Sequence, residues 1–258
     1  MDKGGSTRLK MDFKKVLKPL YIIYFIIGIL TCFSLWFYFS LPDVNYLKNE
    51  NPNTTALIEY RKMQAESDTK KLRIRQKWVG FREIPDLFKK AVRITEDAAF
   101  YKHEGIDWTE LKESIAKNLE EGEYARGAST ITQQLAKNLF LSTEKSIFRK
   151  VREFYITKRL ESELNKSRIF HLYLNVIEFG PGIFGVEAAS EYYFNKSVKN
   201  LTLSEMVRLT AIIPRPLSIR ANGDSKWLKW KARWILDKMK LYKYITHDQH
   251  NITIQEFK

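Results

Sequence analysis

Apolar residues follow two regimes along this chain. From 20 to 41 the sequence LYIIYFIIGILTCFSLWFYFSL carries no charge over 22 positions. At ~1.5 Å per residue a helix of that length crosses the hydrocarbon core of a bilayer. Further on, apolar residues return at helical spacing. Positions 84, 87, 88, 91, 92 and 94 predict an amphipathic helix over 84–95 with Pro85 in its first turn. Asp107 and Glu110 have capping-box spacing and open a helix to about Leu119, which stops before Gly122. Ser129 is the predicted N-cap of the next helix, with Gln133 and Gln134 one turn on. Residues 146–164 form a long amphipathic helix and 167–175 a second one. Gly180, Gly182 and Gly185 then make a bend before a helix over 185–194. A capping box at Thr202 and Glu205 opens a helix that ends before Pro214. Residues 226–244 read as a basic amphipathic helix with Trp227, Trp230 and Trp234, expected to pack on the core. Residues 42–83 are mixed and polar. They predict a partly packed linker or stalk, with one or two helices and a short strand near 73–78.

Composition narrows the class. The 258 residues allow one domain of roughly 200 residues plus appendages. Hydrophobic content of 44% and charged content of 29% exclude a disordered chain. The single cysteine, Cys32, lies inside the apolar run, so neither an internal disulfide nor a Cys-based zinc site is available. The four histidines, His103, His171, His247 and His250, show no HExxH spacing. The apolar run is too long and too aromatic for a signal-peptide core, and no A-x-A-like site follows it, so an uncleaved single-pass anchor is expected. Lys10, Lys14, Lys15 and Lys18 precede the run, whereas Asp43 and Glu50 follow it. The positive-inside rule therefore makes 1–19 a cytoplasmic basic tail, 20–41 the transmembrane anchor, and 84–258 an extracytoplasmic domain reached through 42–83. A formal net charge of +14 asks for an anionic partner. Outside the cytoplasm there is little nucleic acid, and lipid-linked phosphates at the bilayer surface are the nearer anions.

Two stretches carry candidate chemistry. Residues 126–153, RGASTITQQLAKNLFLSTEKSIFRKVRE, hold Ser129, Gln133 and Gln134 near a helix start. Lys137, Lys145, Arg149 and Lys150 follow, and Glu153 closes the run. Donors at a helix N-terminus with Lys and Arg beside them suit a diphosphate. A solvated basic hairpin, with Arg149 and Glu153 paired four residues apart, is the plainer reading. Upstream, Glu96 and Asp97 end an apolar helix and are followed by Phe100, His103 and Gly105. A carboxylate among apolar groups has a raised pKa and suits acid–base work, whereas pairing with Lys102 or Arg93 is the structural alternative.

The segments EDAAFYKHEG, RGASTITQQLAKNLFL, FRKVRE and RIFHLYLNVIEFGPGIFGVEAASEYYF occur in an order and at spacings that resemble glycosyltransferase family 51. These are the peptidoglycan glycosyltransferases, and the form here is most similar to their monofunctional biosynthetic subgroup. The resemblance runs from about Ile84 to Pro216. It implies a mainly α, lysozyme-like, two-lobed glycosyltransferase domain in the bacterial plasma (inner) membrane, facing the periplasm. It implies polymerisation of lipid II into β1,4-linked strands by inverting transfer, with release of undecaprenyl diphosphate and no transpeptidase domain. By the same resemblance Glu96 is the general base and Glu153 the second catalytic glutamate. Asp97, His103, Ser129, Gln133, Gln134, Lys137, Lys145, Arg149 and Lys150 are implied to hold the substrate. Mg²⁺ or Mn²⁺ is expected at the substrate diphosphate, with no dedicated metal site in the protein and no organic cofactor. The implied partners are lipid II, the lipid-linked glycan, membrane lipid and other cell-wall synthases or division proteins, but not nucleic acid. Ala128, Lys145 and His171 depart from the commonest family pattern, and Lys145 keeps a charge while losing the bidentate fork of arginine. A glycan-cleaving lysozyme-like enzyme and a non-enzymatic lipid II or synthase scaffold are the alternatives. A hydrolase, though, needs two carboxylates flanking one bond and has no use for the cations.

Overall fold

The structure is a computed structural model that describes residues 13–69, 71–121, 129–144 and 146–258. It forms two units, one ending at Pro42 and the other running from Asp43 to Lys258. The first unit is dominated by α1, Phe13–Phe39. Within it Tyr21–Phe39 has mean hydropathy 2.1, long and apolar enough to cross a membrane. All its large side chains but the half-buried Phe37 are exposed, from Ile26 at 49% to Phe39 at 78%, so this is not the buried helix of a soluble core.

The second unit is mainly helical. Its helices are α2 (Ala56–Ser67), α3 (Asp86–Glu96), α4 (Trp108–Glu121), α5 (Ile131–Phe140), α6 (Ile147–Glu163) and α7 (Lys166–Val176), then α8 (Val186–Phe194), α9 (Leu203–Ile212), α10 (Lys226–Leu241) and α11 (His247–Ile254). Helices α2, α6 and α7 pack around α5, whereas α3, α9, α10 and α11 form a second group, and α8 contacts both α7 and α9. This two-sided arrangement follows from which helices are buried over most of their surface. In α5 seven of the ten residues are buried, including Ile131, Leu135 and Leu139. In α7 every residue from Leu172 to Val176 is buried. Helices of that kind form a core, and the one-sided helices lie against them. A three-stranded sheet closes the join. The strand β1 (Arg75–Gln76) runs parallel to β3 (Ile183–Phe184), and β2 (Glu178–Gly180) runs antiparallel to β3. Gly182 and Gly185 both sit at positive φ, +75° and +82°. A Cβ at Gly185 would lie 2.6 Å from the Asn175 carbonyl, which explains the glycine there.

The segment 42–83, expected as a partly packed linker with one or two helices and a short strand, holds α2 and β1, and most of its described residues are exposed or half-buried. Residues from Asp43 onward belong to the second unit. Leu47, Leu57 and Ile58 are buried, and the last two pack with Phe184 and Ile74. The Arg61 guanidinium clasps Glu178 at 2.8–3.2 Å, which locks α2 to β2. Few apolar residues are involved, and Phe184 and Glu178 are more than a hundred positions away. His171 lies against this segment. Its Nδ1 accepts from Arg168 at 3.0 Å and its Nε2–H donates to the Val79 carbonyl at 2.9 Å. Only the neutral ring makes both bonds, and burial lowers the His171 pKa in agreement.

Glu178 is buried, and burial raises its pKa against the pull of Arg61. Arg61→Ala strands that carboxylate. The expected cost is about 3 kcal/mol of folding stability, read as a lower thermal midpoint that Arg61→Lys restores only in part.

Candidate active site

The site is assembled where α3 ends and α5 begins. Asp97 is the C-cap of α3, and the chain turns sharply after it. Its buried carboxylate accepts from the backbone N–H of Ile131, the first residue of α5, at 3.0 Å. It also accepts from His103 Nε2 at 3.0 and 3.1 Å, and His103 Nδ1 accepts from Gly105 N. Thr130 closes the ring by donating its hydroxyl to the Gly105 carbonyl at 2.6 Å. Asp97 and His103 therefore spend their polar atoms on holding the turn against the helix. A carboxylate at a helix N-terminus also meets the favourable end of the macrodipole.

The structure moves the predicted N-cap by one residue. Thr130, not Ser129, caps α5, and Gln133 completes the capping box by accepting from Thr130 N. Ser129 is left exposed on the wall of the cleft. Gln133 is thereby committed to the helix start, and Gln134 alone turns toward Glu96. Gln134 Nε2 donates to Glu96 Oε2 at 3.1 Å, and the buried Tyr173 hydroxyl donates to Gln134 Oε1 at 3.0 Å. Burial pushes the Tyr173 hydroxyl well above its ordinary pKa, so it stays a donor. Glu96 Oε1 accepts no hydrogen bond among the described residues. Burial raises the Glu96 pKa and Asp97 adds to that, while Gln134, Lys231 and Lys137 oppose it.

A cationic cluster stands on α5 and α6. Glu153 is 3% exposed and is the counter-ion at its centre. Arg149 Nη1 meets Glu153 Oε2 at 2.9 Å, and Lys150 Nζ meets Oε1. Lys137 lies within electrostatic reach of both carboxylates. Burial lowers its pKa, Glu153 and Glu96 oppose that, and Arg149 and Lys150 reinforce it. The Arg149 Nε donor is buried and finds no partner among the described residues. Such an orphan is costly and suits an arriving anion. Lys145 lies outside the described residues. No group of three or more His, Cys, Asp or Glu among the described residues is placed to hold a metal ion. Both oxygens of Glu153 are taken by cations.

The cleft beside Glu96 encloses about 430 Å³ and has a wall that sequence reasoning missed. Lys231, Trp234 and Lys238 of α10 line it together with Glu96, Asp97 and Ser129. Burial lowers the Lys231 pKa, and the nearby Glu96 opposes this. The basic amphipathic pattern of 226–244 predicts packing on the core, which Leu228, Ala232, Ile235 and Leu236 do. It gives no sign that Lys231 faces a carboxylate 135 positions upstream. Outside the cleft, α6 leaves Ile147 86%, Phe148 47%, Val151 41% and Tyr155 47% exposed.

Comparison with known proteins places these features in context. A family model described as Transglycosylase matches residues 64–240, more than half of the chain. A biosynthetic peptidoglycan transglycosylase of Nitrosospira multiformis is 37% identical over 218 residues, covering 84% of this chain and 94% of that protein. One from Chromobacterium violaceum is 38% identical over 212 residues, covering 82% and 93%. One from Methylobacillus flagellatus is 40% identical over 190 residues, covering 74% and 83%.

The field of Lys231 favours ionised Glu96. Removing it as Lys231→Met moves the Glu96 titration midpoint upward, as read by ¹³C carboxyl chemical shifts against pH. An unmoved or lowered midpoint refutes this coupling.

Proposed function

The chain belongs to the transglycosylase family and is a peptidoglycan transglycosylase, and from that premise we propose that it polymerises lipid II by inverting transfer with Glu96 as base. The observation that carries this reading is one arrangement of charge. A desolvated carboxylate with one oxygen turned to the cleft stands beside fixed cations that include a buried, unpartnered donor. Glycosyl transfer from a lipid diphosphate needs both parts, a base for the attacking hydroxyl and cations for the leaving group.

The residues divide the work as follows. Gln134, itself held by Tyr173, fixes the Glu96 carboxylate and leaves Oε1 for the proton of the acceptor sugar's 4-hydroxyl. The freed oxygen attacks the anomeric carbon of the donor from the face opposite its diphosphate. The C1–O bond to the diphosphate breaks, and the α linkage becomes β1,4. Undecaprenyl diphosphate leaves with its new charge facing Lys137, Arg149 and Lys150. Glu153 keeps Arg149 and Lys150 apart and oriented before substrate arrives, and Ser129 offers a hydroxyl from the cleft wall. Asp97, His103 and Gln133 position the helix that carries these groups. Any Mg²⁺ or Mn²⁺ is expected to be carried by the substrate diphosphate.

Location follows from the same reading. Helix α1 anchors the chain in the bacterial inner membrane by a single pass, with its lysine-rich N-terminus in the cytoplasm and the catalytic unit in the periplasm. The exposed apolar face of α6 rests on lipid, where the undecaprenyl tail lies.

Lipid II polymerisation in detergent, resolved as glycan ladders on a gel, tests the reading. Wild type is expected to build ladders, and Glu96→Gln to lose about 10²- to 10⁴-fold in rate while remaining folded. Soluble fragments released from finished peptidoglycan, with no diphosphate donor required, would establish the hydrolase instead. A folded wild type that binds lipid II and forms no product would establish the scaffold.

A further inference from the structure

A second cavity of about 650 Å³ opens beside the first, and the two share Ala99, Asp107 and Glu110 as a common wall. Its volume is that of a small-molecule cleft. It contains neither Gln134 nor Tyr173, which hold the Glu96 carboxylate, although His103, which braces Asp97, lies on its wall. Trp108, the first residue of α4, lines it with 54% of its surface exposed. That position is fixed, because Asp107 Oδ1 accepts from Thr109 N at 3.0 Å and Glu110 N at 2.9 Å. Lys158 reaches across from α6 and donates to the Glu104 carbonyl at 3.0 Å. The lining carries four carboxylates, Glu104, Asp107, Glu110 and Glu113, against two ammonium groups, Lys102 and Lys158.

We propose that this cavity is a subsite for neutral pyranose units of the growing glycan strand, beyond the reacting sugar. The inference rests on the transferase reading above. A surplus of carboxylates repels a diphosphate and does not repel an uncharged sugar. An exposed indole offers a flat face to the C–H side of a pyranose ring, and carboxylates accept from its hydroxyls. Contact between the two cavities lets one chain occupy both. The lipid II acceptor brings only a disaccharide, so a cleft prolonged past the reacting centre serves the longer substrate. The cations on α5 and α6 hold the end that reacts, and the acidic, aromatic cavity holds the part that has already been made.

The test uses the full chain in detergent and two readouts. The first compares the rate of the first coupling of two lipid II molecules with the length of the finished strands. Trp108→Ala is expected to shorten strands several-fold while losing far less in first-coupling rate, and Trp108→Phe to recover most of the length. The second readout titrates tetra-N-acetylchitotetraose, which carries no lipid or phosphate, and follows binding by calorimetry. Wild type and Glu96→Gln are expected to bind it, with Trp108→Ala severely weakened. Wild-type strand lengths in Trp108→Ala, equal loss of both rates, or saccharide binding indifferent to Trp108 would each overturn the subsite. If wild type forms no strands at all, the transferase reading fails, and the saccharide titration still decides whether the cavity binds sugar.

Discussion

The functional half of this molecule depends on one buried carboxylate that takes no part in the chemistry proposed. Asp97 joins the end of α3 to the first N–H of α5 and to His103. Without that junction Glu96 and Gln134 belong to separate helices with no fixed relation. With it, the last residue of one helix faces the first turn of the other, and a 3.1 Å bond between them becomes possible. Thr130 donates to Gly105 from the opposite side, so the turn is held at both ends. A catalytic group at a helix terminus needs such bracing, because terminal turns fray when their backbone groups lack partners.

The cationic side is built on a different principle. Arg149, Lys150 and Lys137 repel one another, and a buried Glu153 makes their convergence tolerable. A pair of this kind adds little to net stability, since desolvation offsets attraction, but it fixes where the charges point. The same pairing was the plain structural reading of Arg149 and Glu153 from their spacing. Structure and proposed function coincide here, since the salt bridge is what holds the donors in place.

Much of this was legible in the chain. Apolar spacing finds α3, α6 and α10 to within a few residues, and the Thr202–Glu205 capping box that opens α9 is present as read. The short polar helix α11 was missed because its eight residues, HDQHNITI, show no apolar stripe. Thr130 was passed over for Ser129, although Gln133 stands three residues after Thr130 and marks it as the capping residue. Neighbouring Gln133 and Gln134 look equivalent in sequence, and only the helix rotation between them sends one to the cap and the other to Glu96. Lys231 gave no signal because its meaning lies in a contact between distant segments. The docking of Leu57, Ile58 and Arg61 is silent in the sequence for the same reason, since it depends on Phe184 and Glu178.

The chain of bonds behind Glu96 sets a limit on how each cycle ends. Tyr173 donates to Gln134 and Gln134 donates to Glu96, so every hydrogen in the series points at the carboxylate. An amide orients a neighbour but does not pass a proton along, and the tyrosine beyond it is sealed in the core. The relay is therefore a brace and not a wire. In the proposed transfer, a proton taken up at Oε1 finds no relay through Gln134 and Tyr173 and is expected to leave by the cleft through which the acceptor came. Under that mechanism, regeneration of the base is tied to the opening of the cleft to water or to a departing oxygen.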